Sequence, residues 1–263
     1  MSRPVLRIVL PALTGVLFIA LWYGVHAWLS EDTRFLLPTP QAIIEAFREN
    51  STALTRATLN TTLGALLGFS LALIVSCVFA LLLSLSPLVR ASLYPYLMAL
   101  QMTPVIVVAP ILVLWVGAGI KSVVLITFLI CFFPIVVNTT QGLISTDRNL
   151  VELFAMWRAS RLQQLFHLRV PAALPYFYTG LRIAATLAPI GALVGDYTAG
   201  SSAGDGGGLG FQAIIYSSQA KYAALFATAV LTCVLGFIFV AIVIGLSSLS
   251  LGHWHESYEA RDK

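Results

Sequence analysis

Asp147-Arg-Asn-Leu-Val-Glu-Leu-Phe-Ala-Met-Trp-Arg-Ala-Ser-Arg-Leu-Gln-Gln-Leu-Phe-His-Leu-Arg-Val-Pro171 is the one long charged stretch between two apolar runs. Asp147 and Asn149 can cap a helix N-terminus. Val151, Phe154, Ala155 and Arg158 then fall on one face at i, i+3, i+4 and i+7 spacing. Leu162, Leu165, Phe166 and Arg169 repeat that pattern after Ser160, a second candidate cap, and Pro171 and Pro175 end the segment. The reading is two short amphipathic helices joined by a bend. Such a pair either lies on a membrane surface or docks into a groove on a partner, and local physics leaves both open.

The sequence on either side is suited to lipid. Of 263 residues 59% are hydrophobic and 10% charged, with a mean hydropathy of +0.90. Soluble domains carry about 25% charged residues, so a water-soluble globule of this composition would lack polar surface. A spanning helix needs about 20 apolar residues. Six segments qualify: 8–29, 60–85, 93–116, 122–143, 176–199 and 222–249. The third contains Pro104 and Pro110 and the fourth Pro134. Each proline removes a backbone donor, so these helices are expected to kink and to face the bundle interior. The first run follows Arg3 and Arg7 like a secretory signal. It is longer than a signal core of about 7–15 residues and is read as a retained span. The expected fold class is an all-α membrane protein, one transmembrane domain over 1–263 with a cytoplasmic loop at 146–175. Placing both termini inside puts ten of the fifteen basic residues on the cytoplasmic side, as the positive-inside rule asks.

Several classes of chemistry are excluded or disfavoured. The net charge of +4 comes with no basic run or basic-aromatic patch for nucleic acid. Cys77, Cys131 and Cys233 lie in apolar runs and are expected to be buried free thiols. His253 and His255 alone make weak metal ligands, so no metal site is expected. No Gly-x-x-x-x-Gly-Lys-Ser/Thr run cradles phosphate, and the chain is expected to hold no catalytic residue and no cofactor. An ion-coupled secondary transporter is the rival class; it would need intramembrane acids or histidines, and only Asp196 and His26 stand near span depth.

The loop resembles the coupling loop of binding-protein-dependent ABC importer permeases, whose pattern is Glu-Ala-Ala, three residues, Gly, nine residues, Ile-x-Leu-Pro. Glu152 and Pro171 match at that separation, Leu168 and Val170 fill the aliphatic places, and Ala159-Ser160-Arg161 follows as in that family. Leu153 and Phe154 replace the small pair, and Arg158 replaces the glycine. Glycine suits a bend of positive φ, which arginine tolerates poorly. The bend is therefore expected to be built differently, or the partner groove to be matched to a bulkier loop. Met102 to Pro110, Phe132 to Thr139 and Pro171 to Tyr176 are similar to the branch that serves nitrate, sulfonates, taurine and pyrimidine precursors.

The resemblance implies six transmembrane helices in the type I ABC importer permease (MetI-like) fold. It implies a second permease copy, two cytoplasmic ATPase subunits that hold ATP and Mg, and an extracytoplasmic solute-binding protein, in the bacterial inner membrane. It implies that Glu152, Ala155, Arg158, Ala159, Ser160 and Pro171 couple the chain to the ATPase. Candidate pathway residues are Met102, Thr103, Phe132, Phe133, Asn138 and Asp196, the last because an acid in a span is a functional candidate. The outer loop 200–221, with Gly204–Gly210, is read as a flexible contact to the binding protein or a linker. Ala185 to Asp196 looks closer to permeases for thiamine-precursor pyrimidines or riboflavin than to those for sulfonates; a sulfonate, taurine or nitrate is the alternative solute.

Overall fold

A computed structural model describes residues 3–200 and 207–251, and no strand occurs among them. His253, Trp254, His255, Arg261, Lys263 and the glycines at 204 and 206 lie outside the described residues. The chain runs through α1 (Arg3–Trp28), α2 (Pro40–Glu49), α3 (Ser51–Leu85), α4 (Pro87–Gln101), α5 (Val105–Val116) and α6 (Ile120–Ile144). It continues through α7 (Arg148–Met156), α8 (Arg161–Gln164), α9 (Val170–Ala199), α10 (Leu209–Ser218) and α11 (Tyr222–Leu251). Five helical stretches are long and apolar enough to cross a membrane, and α4 with α5 makes a sixth if counted as one span.

The core is α6, held between α3 and α9. Gly64 and Gly68 on α3, four residues apart, lie against Val123 and Thr127 of α6. Gly191 and Gly195 on α9 press on the same two residues from the other side. A Cβ on Gly195 would stand 2.8 Å from the Val123 Cα, and one on Gly68 would stand 2.5 Å from the Thr127 Cβ. Lipid tails give apolar helices no hydrophobic reason to associate, so close backbone approach through small residues supplies the attraction. Ala184, Ala185, Ala188 and Ala192 extend this seam along α9 and are fully buried. Aromatic rings fill the wider part: Phe132 stacks edge-on to Phe79 with centroids 5.6 Å apart, and on Phe133 at 5.2 Å.

Four expectations need correction. The third expected span, 93–116, is two helices bent by 99° at Met102-Thr103-Pro104. Pro104 has no N–H for the ladder and pushes Thr103 out of the helical region, so α4 stops and α5 restarts. Pro171 and Pro175 do not end the loop helix, because α8, a π-turn at Leu165–Arg169 and α9 run on without a gap. In that turn the Val170 N–H donates to the Leu165 carbonyl, an i→i+5 bond. The extra residue shifts the ladder just where Pro171 lacks a donor, which lets the proline sit at the start of α9. The outer connection 200–221 is not all loop, since Leu209–Ser218 is a helix packed on α3, α9 and α11. Cys233 is exposed rather than buried, because α11 flanks the bundle; Cys77 is half-buried and Cys131 buried.

Helix α3 also starts at Ser51, well before 60. Leu54 and Ala57 are buried there; Leu54 packs with Ala46 of α2 and Tyr216 of α10, and this extends the helix beyond its apolar part. The far end of α1 is tied down by Trp22 Nε1, which donates to the Pro38 carbonyl at 2.9 Å, and by the Trp22–Phe226 edge contact. His26 Nδ1 meets the Leu37 carbonyl at 2.7 Å.

Candidate coupling and translocation sites

Asp147 caps α7, its Oδ1 accepting from the Asn149 N–H at 2.8 Å. The helix then closes with two reverse bonds. The Arg158 N–H donates to Ala155 O at 2.9 Å, and the Ala159 N–H donates to Phe154 O at 3.0 Å. This is a Schellman ending, which requires a left-handed residue at the position just past the cap. Arg158 occupies it with φ of 52°. The bend is thus built the way a glycine would build it, and arginine bears the strain, about 1 kcal/mol for a residue with a Cβ. Ser160 opens α8 in a full capping box: Gln163 N–H donates to Ser160 Oγ, and Ser160 N–H donates to Gln163 Oε1 at 2.8 Å.

The two loop helices enclose a cleft of about 390 Å³ lined by Leu153, Phe154, Trp157, Ala159, Gln163 and His167. Met156 and Trp157 are 80% and 81% exposed, and Leu162 and Phe166 are exposed beside them. On the opposite face Leu165 and Leu168 are buried, and Leu165 belongs to the main core. The segment therefore has one face in the bundle and an apolar face left open. Glu152 is exposed and accepts from Arg148 Nε at 2.9 Å. Such an i, i+4 pair stabilises a helix by only about 0.3–0.5 kcal/mol, so Arg148 holds Glu152 weakly.

Asp196 closes the other end of α9, where it is buried. The Thr61 hydroxyl donates to Asp196 Oδ2 at 2.5 Å, and the Leu209 N–H donates to Thr61 Oγ1 at 2.8 Å. The Gly210 N–H also bonds the Asp196 carboxyl. Asp196 and Thr61 together thus satisfy first-turn donors of α10, where helix N–H groups favour an acidic side chain. Gly208 and Gly210 are needed for this approach: a Cβ on Gly208 would overlap the Asp196 carboxyl, and one on Gly210 the Leu193 carbonyl. Asn60 Nδ2 donates to Gly207 O at 2.9 Å and completes a clamp joining α3, α9 and α10.

The six pathway candidates are not brought together. Met102 and Thr103 are exposed at the α4–α5 break. Phe132 and Phe133 are buried in the aromatic cluster, and Asn138 donates back to the Pro134 carbonyl of its own helix at 2.8 Å. Asp196 sits in the clamp. Sequence reasoning missed Thr61 and Asn60, as well as the glycine seam. The seam had a readable signal in the two Gly-x-x-x-Gly spacings at Gly64–Gly68 and Gly191–Gly195. The attachment of the clamp to α3 had none, since Asn60 and Thr61 are over 130 residues from their partners.

Residues 64–256 match the family described as the binding-protein-dependent transport system inner membrane component. The chain belongs to this family. It is an ABC importer permease and a multi-pass membrane protein, and the matched region carries the α6–α9 core, the charged loop 146–175 and α10. The permease is 38% identical over 218 residues to a formylaminopyrimidine transport permease of Halalkalibacterium halodurans, covering 82% of this chain and 85% of the relative. It is 35% identical to a riboflavin transport system permease of Chloroflexus aurantiacus, covering 71% and 70%. A taurine transport system permease of Escherichia coli is 30% identical, covering 65% and 64%.

Proposed function

We propose that this permease forms, with a second copy of itself, the membrane passage of an importer that two cytoplasmic ATPase subunits drive with ATP and Mg. An extracytoplasmic binding protein delivers the solute, and hydrolysis belongs to the ATPase, not to this chain. Both termini and the loop 146–175 are cytoplasmic in this reading, following the basic-residue asymmetry. The observation that carries it is the continuous helix from Arg161 to Ala199. It joins the open apolar face at Leu162 and Phe166 to the seam where α9 packs on α6, the core of the bundle. A push on the loop therefore moves α9 as a lever rather than being lost in a flexible link. Glu152, Ala155, Arg158, Ala159 and Ser160 shape the docking face, and Pro171 sits where the lever enters the bundle.

The exposed break at Met102 and Thr103 fits the second copy. Irregular backbone at membrane depth is tolerated only against protein or water, so a partner or an aqueous passage must cover it. The solute we assign is a thiamine-precursor pyrimidine or a riboflavin-like compound, supported by the identities of 38% and 35% to permeases named for such solutes. The test is Glu152→Arg in the complex with its ATPase. Loss of ATPase association, or ATP hydrolysis no longer coupled to uptake, is expected; unchanged assembly and coupling would contradict the docking role.

A further inference from the structure

Although α9 packs against α3, α5, α6, α10 and α11, one stripe along it stays uncovered. Tyr176, Thr179, Ile183, Thr186, Ile190 and Tyr197 are exposed and recur at helical spacing. Arg182 lies on this stripe between the two threonines, half-buried, with its Nε enclosed and without a hydrogen-bond partner. No carboxylate is paired with it among the described residues. Its depth follows from the packing of Gly180, which lies against the Pro134 carbonyl and Asn138 of α6. Pro134 stands about 15 Å from the Ile144 end of α6 and about 21 Å from the Ile120 end, at 1.5 Å per residue. Arg182 is therefore near mid-height rather than at the inner rim, which leaves nine of the fifteen basic residues on the cytoplasmic side.

A cation at that depth faces a partner, a cavity or a bound acceptor rather than lipid. The acid on its own helix, Asp196, is about 21 Å away along the axis and already engaged by Thr61. The Thr179 hydroxyl donates to Pro175 O at 2.8 Å and the Thr186 hydroxyl to Arg182 O at 3.1 Å. Each hydroxyl oxygen keeps its acceptor capacity, and Arg182, with Nε enclosed, offers the four N–H donors of its two terminal nitrogens. Resting on the importer reading above, we infer that Arg182, flanked by Thr179 and Thr186, is a recognition point in the passage for an oxygen acceptor of the solute. A formyl or ring carbonyl and a sulfonate share that chemistry. Arg182 thus sets which solutes cross, separately from the ATPase-facing loop.

The test uses the full complex in proteoliposomes, with Cys77, Cys131 and Cys233 replaced and Thr186→Cys introduced. Anionic and cationic methanethiosulfonate reagents are both expected to label the thiol, and adding Arg182→Gln lowers the anionic-to-cationic rate ratio about tenfold. A thiol closed to both reagents, or an unchanged ratio, overturns the proposal. Should Arg182→Gln not assemble, labelling of Thr179→Cys and Thr186→Cys with Arg182 in place decides. Uptake of formylaminopyrimidine, riboflavin and taurine supplies the second arm. For whichever solute the parent complex moves, Arg182→Gln is expected to lose at least about tenfold while binding-protein-stimulated ATPase activity persists. Full uptake in that variant overturns the proposal. ATP-independent uptake by the parent would instead overturn the importer reading, and the labelling arm would still judge Arg182.

Discussion

Arg158 bears a conformation that its own chemistry disfavours, and this makes it a sensitive probe of the coupling bend. With φ of 52° it pays a Cβ clash that glycine would not. Arg158→Gly is expected to raise the stability of the purified permease by about 1 kcal/mol, and Arg158→Val to lower it by about as much, read by thermal unfolding. At the other end of α9, Asp196→Ala leaves the Thr61 hydroxyl and the Gly210 N–H without their acceptor. A loss of about 1–3 kcal/mol is expected, with Asp196→Asn intermediate because it keeps one acceptor oxygen. The sequence made Arg158 visible as a departure from a pattern, but not its outcome. Whether a bend tolerates a side chain depends on the hydrogen bonds that close it, here Ala159 to Phe154 and Arg158 to Ala155. Asp196 was likewise visible as an acid near a span end, while its donors come from α3 and from the first turn of α10.

At the scale of elements, the apolar runs were legible because lipid leaves few alternatives to a helix of about 20 residues. The two caps of the loop, Asp147 and Ser160, were legible for a similar reason: short-range hydrogen bonds follow from local spacing. The breaks were harder. Three prolines in the spans or at their start behave differently: Pro104 splits α4 from α5, Pro134 stays within α6, and Pro171 is absorbed after a π-turn. Which outcome occurs depends on neighbours that accept the freed carbonyls, and no local pattern encodes them. The glycine seam gives the element-scale prediction. Gly195→Leu or Gly68→Leu is expected to separate α6 from its neighbour and to destabilise the permease by at least about 1–3 kcal/mol. Gly236→Ala on α11, where a Cβ meets nothing within 4 Å, is the neutral control. Thermal unfolding and the yield of correctly sized protein read both.

Across the whole molecule, the coupling loop and the clamp sit at opposite ends of α9. The lever joins them: Leu165 anchors it in the core, Gly180, Gly191 and Gly195 hold it to α6, and Asp196 ties its far end to α3 and α10. On the proposed reading, movement imposed at Phe166 passes along one continuous helix to its far end, where α10 would shift with it. The central claim is that an ATPase drives this chain through its loop. The most direct measurement is binding-protein-stimulated ATP hydrolysis and ATP-driven uptake by the permease reconstituted with its ATPase, with Glu152→Arg beside the parent. Stoichiometric ATPase association and ATP-dependent uptake are expected in the parent, with association or coupling lost in the variant. Uptake without ATP, or a Glu152→Arg complex that assembles and transports like the parent, would contradict that claim.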